Sequence, residues 1–214
     1  MGSTPPTPRR GRPRAADAAQ VAERVLDAAE ELFLRQGYAR TTVDQITEAA
    51  HAGKNTVYAR YPTKAALFTA VVERSGRIFA VRTEAVMTGT VRERLIAAGL
   101  ALADQTLTPD GIGLMRVTAA EANSFPDVAR EGFAVGFGQC VHLITRSLPD
   151  DRPGGGATVL ATRLVEMALH PLYMHAFFGA DLADLRIRAR DDVPRVVDAL
   201  LNRTDTDPAR PSNV

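Results

Sequence analysis

The sequence predicts an all-α fold of about nine helices, in which a small three-helix unit precedes a larger helical bundle. Apolar residues recur at helical spacing along nearly all of the 214 residues, whereas the alternating or β-branched runs typical of strands are scarce. Helix caps and breaks containing glycine or proline divide these stretches from one another. The apolar and charged fractions, 45% and 24%, are those of a folded globular protein.

The first two helices have clear ends in the sequence. An apolar stripe predicts a helix over about 17–36, and Gly37 stands where a left-handed cap would end it. A short second helix begins at Thr42, whose hydroxyl and the side chain of Gln45 have the spacing of a capping box. These signals predict two helices joined by a sharp turn.

A helix-turn-helix is predicted from the next short helix. The second helix breaks over 51–53, and a third runs from Lys54 to about Tyr61. Two short helices joined by a tight turn are the arrangement of a helix-turn-helix, whose second helix lies in the major groove of DNA. Val57 and Tyr61 are four residues apart and should face inward. The outward side is polar, with groups that suit phosphate oxygens and base edges.

Six more helices are predicted in the rest of the chain, separated by breaks of which 149–156 is the clearest. A kink is expected at Pro171, and the residues after 202 are expected to be disordered. The predicted ranges are 63–86, 90–106, a helix entered at Thr108, 126–148, 157–178 and 191–202. We divide the chain into four parts. These are a flexible basic arm (1–16), a helix-turn-helix domain (17–63), a larger helical domain (64–203) and a disordered tail (204–214).

Charge is unevenly distributed along the chain. Residues 1–64 hold ten basic and seven acidic side chains, a net of +3, whereas the remainder holds 16 basic and 18 acidic, a net of −2. A basic N-terminal part suits a module that meets a polyanion at one end. The arm sequence 9–14, RRGRPR, resembles an AT-hook core, so Arg10, Arg12 and Arg14 are predicted to enter a narrow minor groove. The alternative is a flexible tail that adds only non-specific attraction to phosphates.

Short motifs at fixed spacing occupy the stretch from Val25 to Phe68. They are Ala28-Ala29, Leu32-Phe33, Gly37-Tyr38, Thr41-Thr42-Val43, Lys54-x-Thr56-Val57-Tyr58 and Tyr61-Pro62-x-Lys64. In this order they resemble the N-terminal domain of the TetR/AcrR family, over about a fifth of the chain. The resemblance implies a ligand-responsive transcriptional regulator, usually a repressor, that binds an inverted-repeat operator in double-stranded DNA as a homodimer.

The resemblance also implies which residues touch DNA. Tyr58 and Lys64 would anchor phosphates, and Lys54, Asn55 and Arg60 would contact bases. The full predicted DNA-binding set is Thr42, Lys54, Asn55, Thr56, Tyr58, Arg60 and Lys64.

Three positions depart from the family pattern. The family usually has glycine where this chain has His51, so we expect Gly53 to shape the turn instead. A small alanine usually occupies the position of Thr47. A basic residue often occupies the position of Asp44, so one common DNA contact is expected to be missing or altered.

The C-terminal half is expected to hold a dimer interface and a ligand cavity. In the resembled family the last two helices form the interface, here 157–178 and 191–202, although the last helix has the alternative of packing on its own subunit. An apolar-aromatic cavity lining predicts a small hydrophobic or amphipathic ligand, and the alternative is that these side chains are core. The residues predicted to line it are Met115, Phe133, Phe137, Met167, His170, Tyr173, Met174 and Phe177. Ligand binding would shift the fourth helix.

Other function classes receive little support from the sequence. There is no Gly-rich phosphate loop, nucleophile elbow or His-Glu-x-x-His motif, so we expect no catalytic residues, no metal and no cofactor. A DNA-binding architectural protein without a ligand is the stronger alternative, and an enzyme is the weaker one. The lone Cys140 is either a small buried apolar residue or a redox-sensing thiol. Neither a membrane span nor a secretion signal is expected, and the expected location is cytoplasmic.

Overall fold

The computed structural model describes residues 15–82, 89–148 and 156–205. Counting α8, a π-helical turn at Val165–Leu169 and α9 as one rod, these residues form nine helices and no strand, which confirms the predicted fold class. The helices are α1 Ala15–Arg40, α2 Val43–Ala49, α3 Lys54–Arg60, α4 Lys64–Arg82, α5 Val91–Thr106, α6 Pro109–Ala120, α7 Pro126–Thr145, α8 Gly156–Leu164, α9 His170–Phe177 and α10 Leu182–Asp205. The predicted minor-groove arginines Arg10, Arg12 and Arg14, most of the break at 149–156 and the end of the tail lie outside the described residues.

Two apolar cores organise the helices. The first joins α1 to α4 and includes Phe33, Ile46 and Phe68, all fully buried. Leu114 of α6 belongs to this core as well, so the bundle packs directly on the three-helix unit. The second core joins α5 to α10. Within the described part of the chain, no helix is both long and apolar enough to span a bilayer.

The connection from α1 to α2 follows the sequence prediction. Gly37 has φ 79° and ψ 167°, a region of backbone conformation that is essentially restricted to glycine, and it breaks the regular helix before Tyr38 turns into the core. The capping box of α2 is complete. The amide of Gln45 donates to Thr42 Oγ1 at 3.2 Å, and the amide of Thr42 donates to Gln45 Oε1 at 2.9 Å. The start of α2 is therefore fixed by its own side chains.

Proline is accommodated in the rod from α8 to α9 by the π-helical turn. Pro171 has no amide proton to donate within the helix. Immediately before it, the amide of His170 donates to the carbonyl of Val165, five residues earlier. The extra residue in this turn shifts the helical register between α8 and α9 at the position where the sequence predicted a kink.

The last helix is longer than predicted. It begins at Leu182, nine residues before the predicted start at 191. Asp181 caps it, since its Oδ1 accepts the amides of Ala183 at 2.8 Å and Asp184 at 3.0 Å. The arginine-rich first half of α10 still buries an apolar stripe, which consists of Leu185, Ala189 and Val193.

The turn between α2 and α3 differs from the prediction. His51 itself has a positive φ of 49°, whereas Gly53 has φ −71° and begins α3 from an extended conformation. The expectation that Gly53 shapes the turn is therefore wrong. A non-glycine residue in the left-handed region is strained, because its Cβ approaches the following backbone.

We expect His51→Gly to stabilise the protein. Relief of the left-handed strain, less the greater freedom of glycine in the unfolded chain, should add roughly 0.5–1 kcal/mol to the free energy of unfolding. The thermal midpoint, measured by circular dichroism at fixed protein concentration, should rise by roughly 2 °C.

Gly53→Ser is the matched control for this change. A Cβ at Gly53 would lie 3.6 Å from Thr56 Oγ1, an ordinary contact, so its midpoint should stay close to that of the parent protein. If the thermal midpoint of Gly53→Ser fell by several degrees and that of His51→Gly did not rise, the turn would require glycine at position 53 and not at position 51.

Candidate DNA-binding surface and internal cavity

The outward face of α3 collects most of the predicted DNA-binding residues. Val57 and Tyr61 are buried, as predicted, and fix the rotation of α3 on the three-helix unit. Arg60 lies with its guanidinium carbon 5.9 Å from the centroid of the Tyr61 ring. The exposed side chains on this face are Lys54, Asn55, Thr56, Tyr58 and Arg60. They present ammonium, amide, hydroxyl and guanidinium groups together, which is the chemistry needed to bind phosphates and base edges.

Thr42 is exposed at the edge of this surface. Its Oγ1 accepts the amide of Gln45, and Gln36 Nε2 donates to Gln45 Oε1 at 3.1 Å. The capping box therefore uses the oxygen of the Thr42 hydroxyl as an acceptor. The hydroxyl proton of Thr42 is then the group that would donate to a DNA phosphate.

Asp44 and Lys54 form an ion pair across α2 and α3. Asp44 Oδ2 lies 2.7 Å from Lys54 Nζ, and both side chains are exposed. The hydrogen bond to Asp44 raises the pKa of Lys54. The departure from the family pattern at Asp44 thus places a carboxylate beside a predicted base-contacting residue.

Lys64 has a set of protein partners that the sequence did not indicate. Its Nζ donates to the carbonyls of Tyr38 at 2.9 Å, Thr41 at 3.0 Å and Ala39 at 3.3 Å, and it lies 4.2 Å from the centroid of the Tyr38 ring. Burial lowers the pKa of Lys64. With three carbonyl acceptors for its three protons, the ammonium ties the end of α1 and the adjacent Thr41 to the start of α4. Its contact with a DNA phosphate stays a prediction.

The turn between α6 and α7 docks against the same region. Glu121 Oε1 accepts the amide of Ala39 at 3.2 Å, and the rings of Phe125 and Tyr38 meet edge to face at 5.2 Å between centroids. Burial, with a smaller contribution from Glu121, raises the pKa of Tyr38. This junction joins the bundle to the three-helix unit through both polar and aromatic contacts.

An apolar cavity of about 600 Å³ lies inside the bundle. Val72 and Ser75 of α4 form part of its wall, and Phe133 and Met174 both line it and are exposed, so the cavity opens beside them. The predicted residues that line it are Met115, Phe133, Phe137, His170, Tyr173, Met174 and Phe177. That they bind a ligand stays a prediction.

Met167 does not line the cavity, and the prediction that it does is wrong. Its side chain is 44% exposed. In an uninterrupted α-helix Met167, His170 and Met174 would share one face, because they are three and four residues apart. Met167 lies within the π-helical turn, which changes this register and leaves its side chain on the outside.

The polar groups of the cavity are few and mostly satisfied. Thr106 Oγ1 donates to the carbonyl of Leu102 at 2.7 Å, so the Tyr173 hydroxyl is the donor in its 2.8 Å bond to Thr106. His170 packs against Phe137 with ring centroids 5.4 Å apart, and burial lowers the pKa of His170, which keeps it neutral at pH 7. Among the described lining residues none is acidic.

Cys140 also lines the cavity. Burial raises the pKa of its thiol to about 12. A thiol with this pKa is protonated at neutral pH and is a poor nucleophile, because the thiolate is the reactive form. The environment of Cys140 therefore favours the interpretation that it is a small apolar residue over the alternative that it is a redox sensor.

Two family models match the chain. One, described as "Bacterial regulatory proteins, tetR family", matches residues 25–71. The other, described as "AefR-like transcriptional repressor, C-terminal domain", matches residues 93–203, which is more than half of the chain. The first of these regions contains the exposed face of α3, and the second contains most of the cavity lining.

Two curated relatives are similar to part of this chain. The HTH-type transcriptional repressor ComR of Escherichia coli K12 is 38% identical over 76 residues, which are 36% of this chain and 34% of that protein. The DNA-binding transcriptional repressor TetR of Mycobacteroides abscessus is 36% identical over 73 residues, which are 34% of this chain and 37% of that protein. The chain thus spans about a third of the length of the curated relatives it matches.

Solved structures share the fold over most of the chain. A regulator from Mesorhizobium loti that is assigned to the TetR family has a TM-score of 0.66 at 21% identity, covering 87% of this chain and 97% of that one. The Flavonoid-responsive Regulator FrrA has a TM-score of 0.63 at 22% identity, covering 90% and 100%. SmeT, in a complex with triclosan, has a TM-score of 0.60 at 23% identity, covering 86% and 90%.

Proposed function

Because the chain belongs to the tetR family of bacterial regulatory proteins, we propose that it represses transcription by binding an inverted-repeat operator as a homodimer, and that a small apolar ligand controls this binding. The observation that carries the proposal is the exposed polar face of α3. The opposite, apolar side of this helix is buried within a short helix-turn-helix. A large apolar cavity in the same chain supports ligand control.

The DNA contacts divide by chemistry. Asn55 and Arg60 carry the amide and guanidinium groups that pair with adenine and guanine edges, and Lys54 donates to acceptors in the major groove. Thr42 and Tyr58 present hydroxyls to phosphates, which position the helix without reading sequence. The basic arm, with Arg10, Arg12 and Arg14, would add contacts in the minor groove beside the operator half-site.

An exposed apolar surface on the last helices supports the dimer. Met174 and Phe178 are one turn apart on the rod that ends in α9, and Phe178 is 87% exposed. Val159 at the start of this rod, Met167 in its middle and Ile187 of α10 are exposed as well. Exposed large apolar side chains are typical of a protein–protein interface, and a two-fold dimer matches the symmetry of an inverted repeat.

The cavity favours a neutral or amphipathic apolar ligand. Its volume of about 600 Å³ lies within the range of about 300–1,000 Å³ common for small-molecule sites. Of two proteins with this fold, FrrA is described as flavonoid-responsive and SmeT is in a complex with triclosan. An architectural DNA-binding protein would have no need for such a cavity, so we favour the regulator over that alternative, and over an enzyme.

Helix α4 gives the first route from the cavity to DNA. Val72 and Ser75 face the cavity, while Arg74 between them points to α1. Arg74 Nη1 lies 2.5 Å from Asp27 Oδ1, and Nη2 bonds to Glu30. A ligand that displaces this part of α4 would therefore carry α1 and the helix-turn-helix with it.

The turn between α6 and α7 gives the second route. Ala122 and Pro126 line the cavity, and Glu121 and Phe125, their neighbours in sequence, contact Ala39 and Tyr38 instead. One turn thus touches both the ligand space and the three-helix unit. A ligand weakens DNA binding only to the extent that it favours a conformation in which these contacts differ.

We expect wild-type protein to enrich one inverted-repeat sequence from a random library of DNA duplexes. The variant Lys54→Ala with Tyr58→Ala should bind that sequence about 10- to 100-fold more weakly, because it loses a base contact and a phosphate contact. Arg146→Ala, which removes an exposed cation at the end of α7, is the control and should bind as the wild type does. Equal, salt-sensitive retention of all duplexes by every variant would contradict an operator-binding function.

We expect Phe178→Asp to weaken the dimer. A carboxylate buried in an apolar interface loses its hydration, so the dissociation constant measured by analytical ultracentrifugation should rise at least about 10-fold. Operator affinity should fall with it. The fold should be unaffected since Phe178 is exposed, and Ala134→Asp on exposed α7 surface serves as the charge control. An unchanged dissociation constant in Phe178→Asp would exclude this interface.

We expect Gly136→Phe to act as a built-in ligand. Gly136 lines the cavity, and a Cβ there would meet Val72 Cγ1 at 3.6 Å, so the ring would occupy ligand space. Binding of the neutral fluorescent dye N-phenyl-1-naphthylamine should weaken at least about 10-fold, and operator affinity should fall by a similar factor, within the usual range of allosteric coupling.

Gly138→Phe is the matched control on the same helix. A Cβ at Gly138 meets nothing within 4 Å, so dye and operator binding should both remain as in the wild type. If Gly136→Phe excludes the dye but leaves operator affinity unchanged, the cavity is not coupled to DNA binding.

A further inference from the structure

The ion pair between Asp44 and Lys54 lies on the surface that is proposed to face DNA. The Lys54 side chain is 57% exposed and that of Asp44 is 63% exposed, so solvent screens the pair and it contributes little to stability. The packing of α2 against α3 rests instead on the buried side chains of Ile46 and Val57. Stability therefore does not account for the pair, and we look for its role in DNA binding.

The chemistry of the ammonium group indicates that role. A free lysine at the edge of a DNA-binding surface attracts any phosphate, which raises affinity for all sequences alike. Asp44 accepts a hydrogen bond from one of the three ammonium protons of Lys54, and its carboxylate offsets the charge of the ammonium locally. The two remaining protons can still donate to the N7 and O6 acceptors of a guanine in the major groove, without breaking the pair.

We propose that Asp44 is a specificity-determining residue, which holds Lys54 for base contact and withholds it from the phosphates of unrelated DNA. The pair thus favours operator sequences with a guanine beneath Lys54. This inference rests on the proposed operator-binding function.

Removing the carboxylate without changing its shape tests the proposal. Asp44→Asn is compared with Glu48→Gln, which removes the same charge from an exposed position of α2. Within the described residues Lys54 pairs with Asp44 and not with Glu48. Both are measured by fluorescence anisotropy against the operator selected by the wild type and a shuffled duplex of equal composition, over a series of salt concentrations. The same Asp44→Asn change is repeated in a Lys54→Gln background.

Asp44→Asn should raise affinity for the shuffled duplex about 3- to 10-fold and steepen its salt dependence by about one released ion. Operator affinity should rise less, so the ratio of the two affinities should fall. Glu48→Gln should change the affinities for both duplexes by the same small factor, so their ratio should not change. In the Lys54→Gln background the Asp44 change should leave the ratio unaltered.

An unchanged ratio in Asp44→Asn would overturn the inference. So would an effect equal to that of Glu48→Gln, or one that persists without Lys54, because either result would indicate general charge repulsion. A wild-type protein that binds both duplexes equally would overturn the operator-binding function itself, and this inference with it. The two failures are therefore distinguished by the wild-type measurement.

Discussion

The ion pairs of the nearly buried Arg74 fix α4, which forms part of the cavity wall, against α1 of the three-helix unit. Its guanidinium reaches from α4 to three carboxylates of α1, those of Glu23, Asp27 and Glu30. A buried guanidinium without these partners would be strongly unfavourable, so α4 is held to α1 at one register. Because α4 also supplies cavity wall on either side of Arg74, the position of the DNA-facing unit and the shape of the cavity are set by the same helix.

The junction at Glu121 and Phe125 adds a second attachment, at the end of α1. Arg74 contacts the middle of α1, whereas Glu121 and Phe125 contact the residues that follow Gly37. The three-helix unit is therefore held at two separated places by elements that both border the cavity. Two attachments resist rotation as well as translation, so the three-helix unit is joined to the wall of the cavity without a flexible link.

Local signals in the sequence predicted much of this structure, and contacts between distant residues account for what they missed. Spacing within individual helices indicated the capping box at Thr42, the inward positions of α3 and seven of the eight residues predicted to line the cavity. The prediction for Met167 is wrong because it assumes a regular α-helix, whereas a π-helical turn changes the register at this residue. The partners of Lys64 lie 23 to 26 residues away, and those of Arg74 lie 44 or more residues away, so no local pattern indicates them. The start of α10 was missed because arginines interrupt its apolar stripe.

The two lysines of the chain show why composition overstates the charge available to DNA. Both were counted as cations of a basic N-terminal part, yet Lys54 is bonded to a carboxylate and Lys64 to three backbone carbonyls. A phosphate must compete with these partners, whereas the side chains of Asn55 and Tyr58 are exposed on the outward face of α3. The outward face of α3 thus presents mainly directional hydrogen-bonding groups. Such groups distinguish sequences through base edges, whereas free cations attract all phosphates alike.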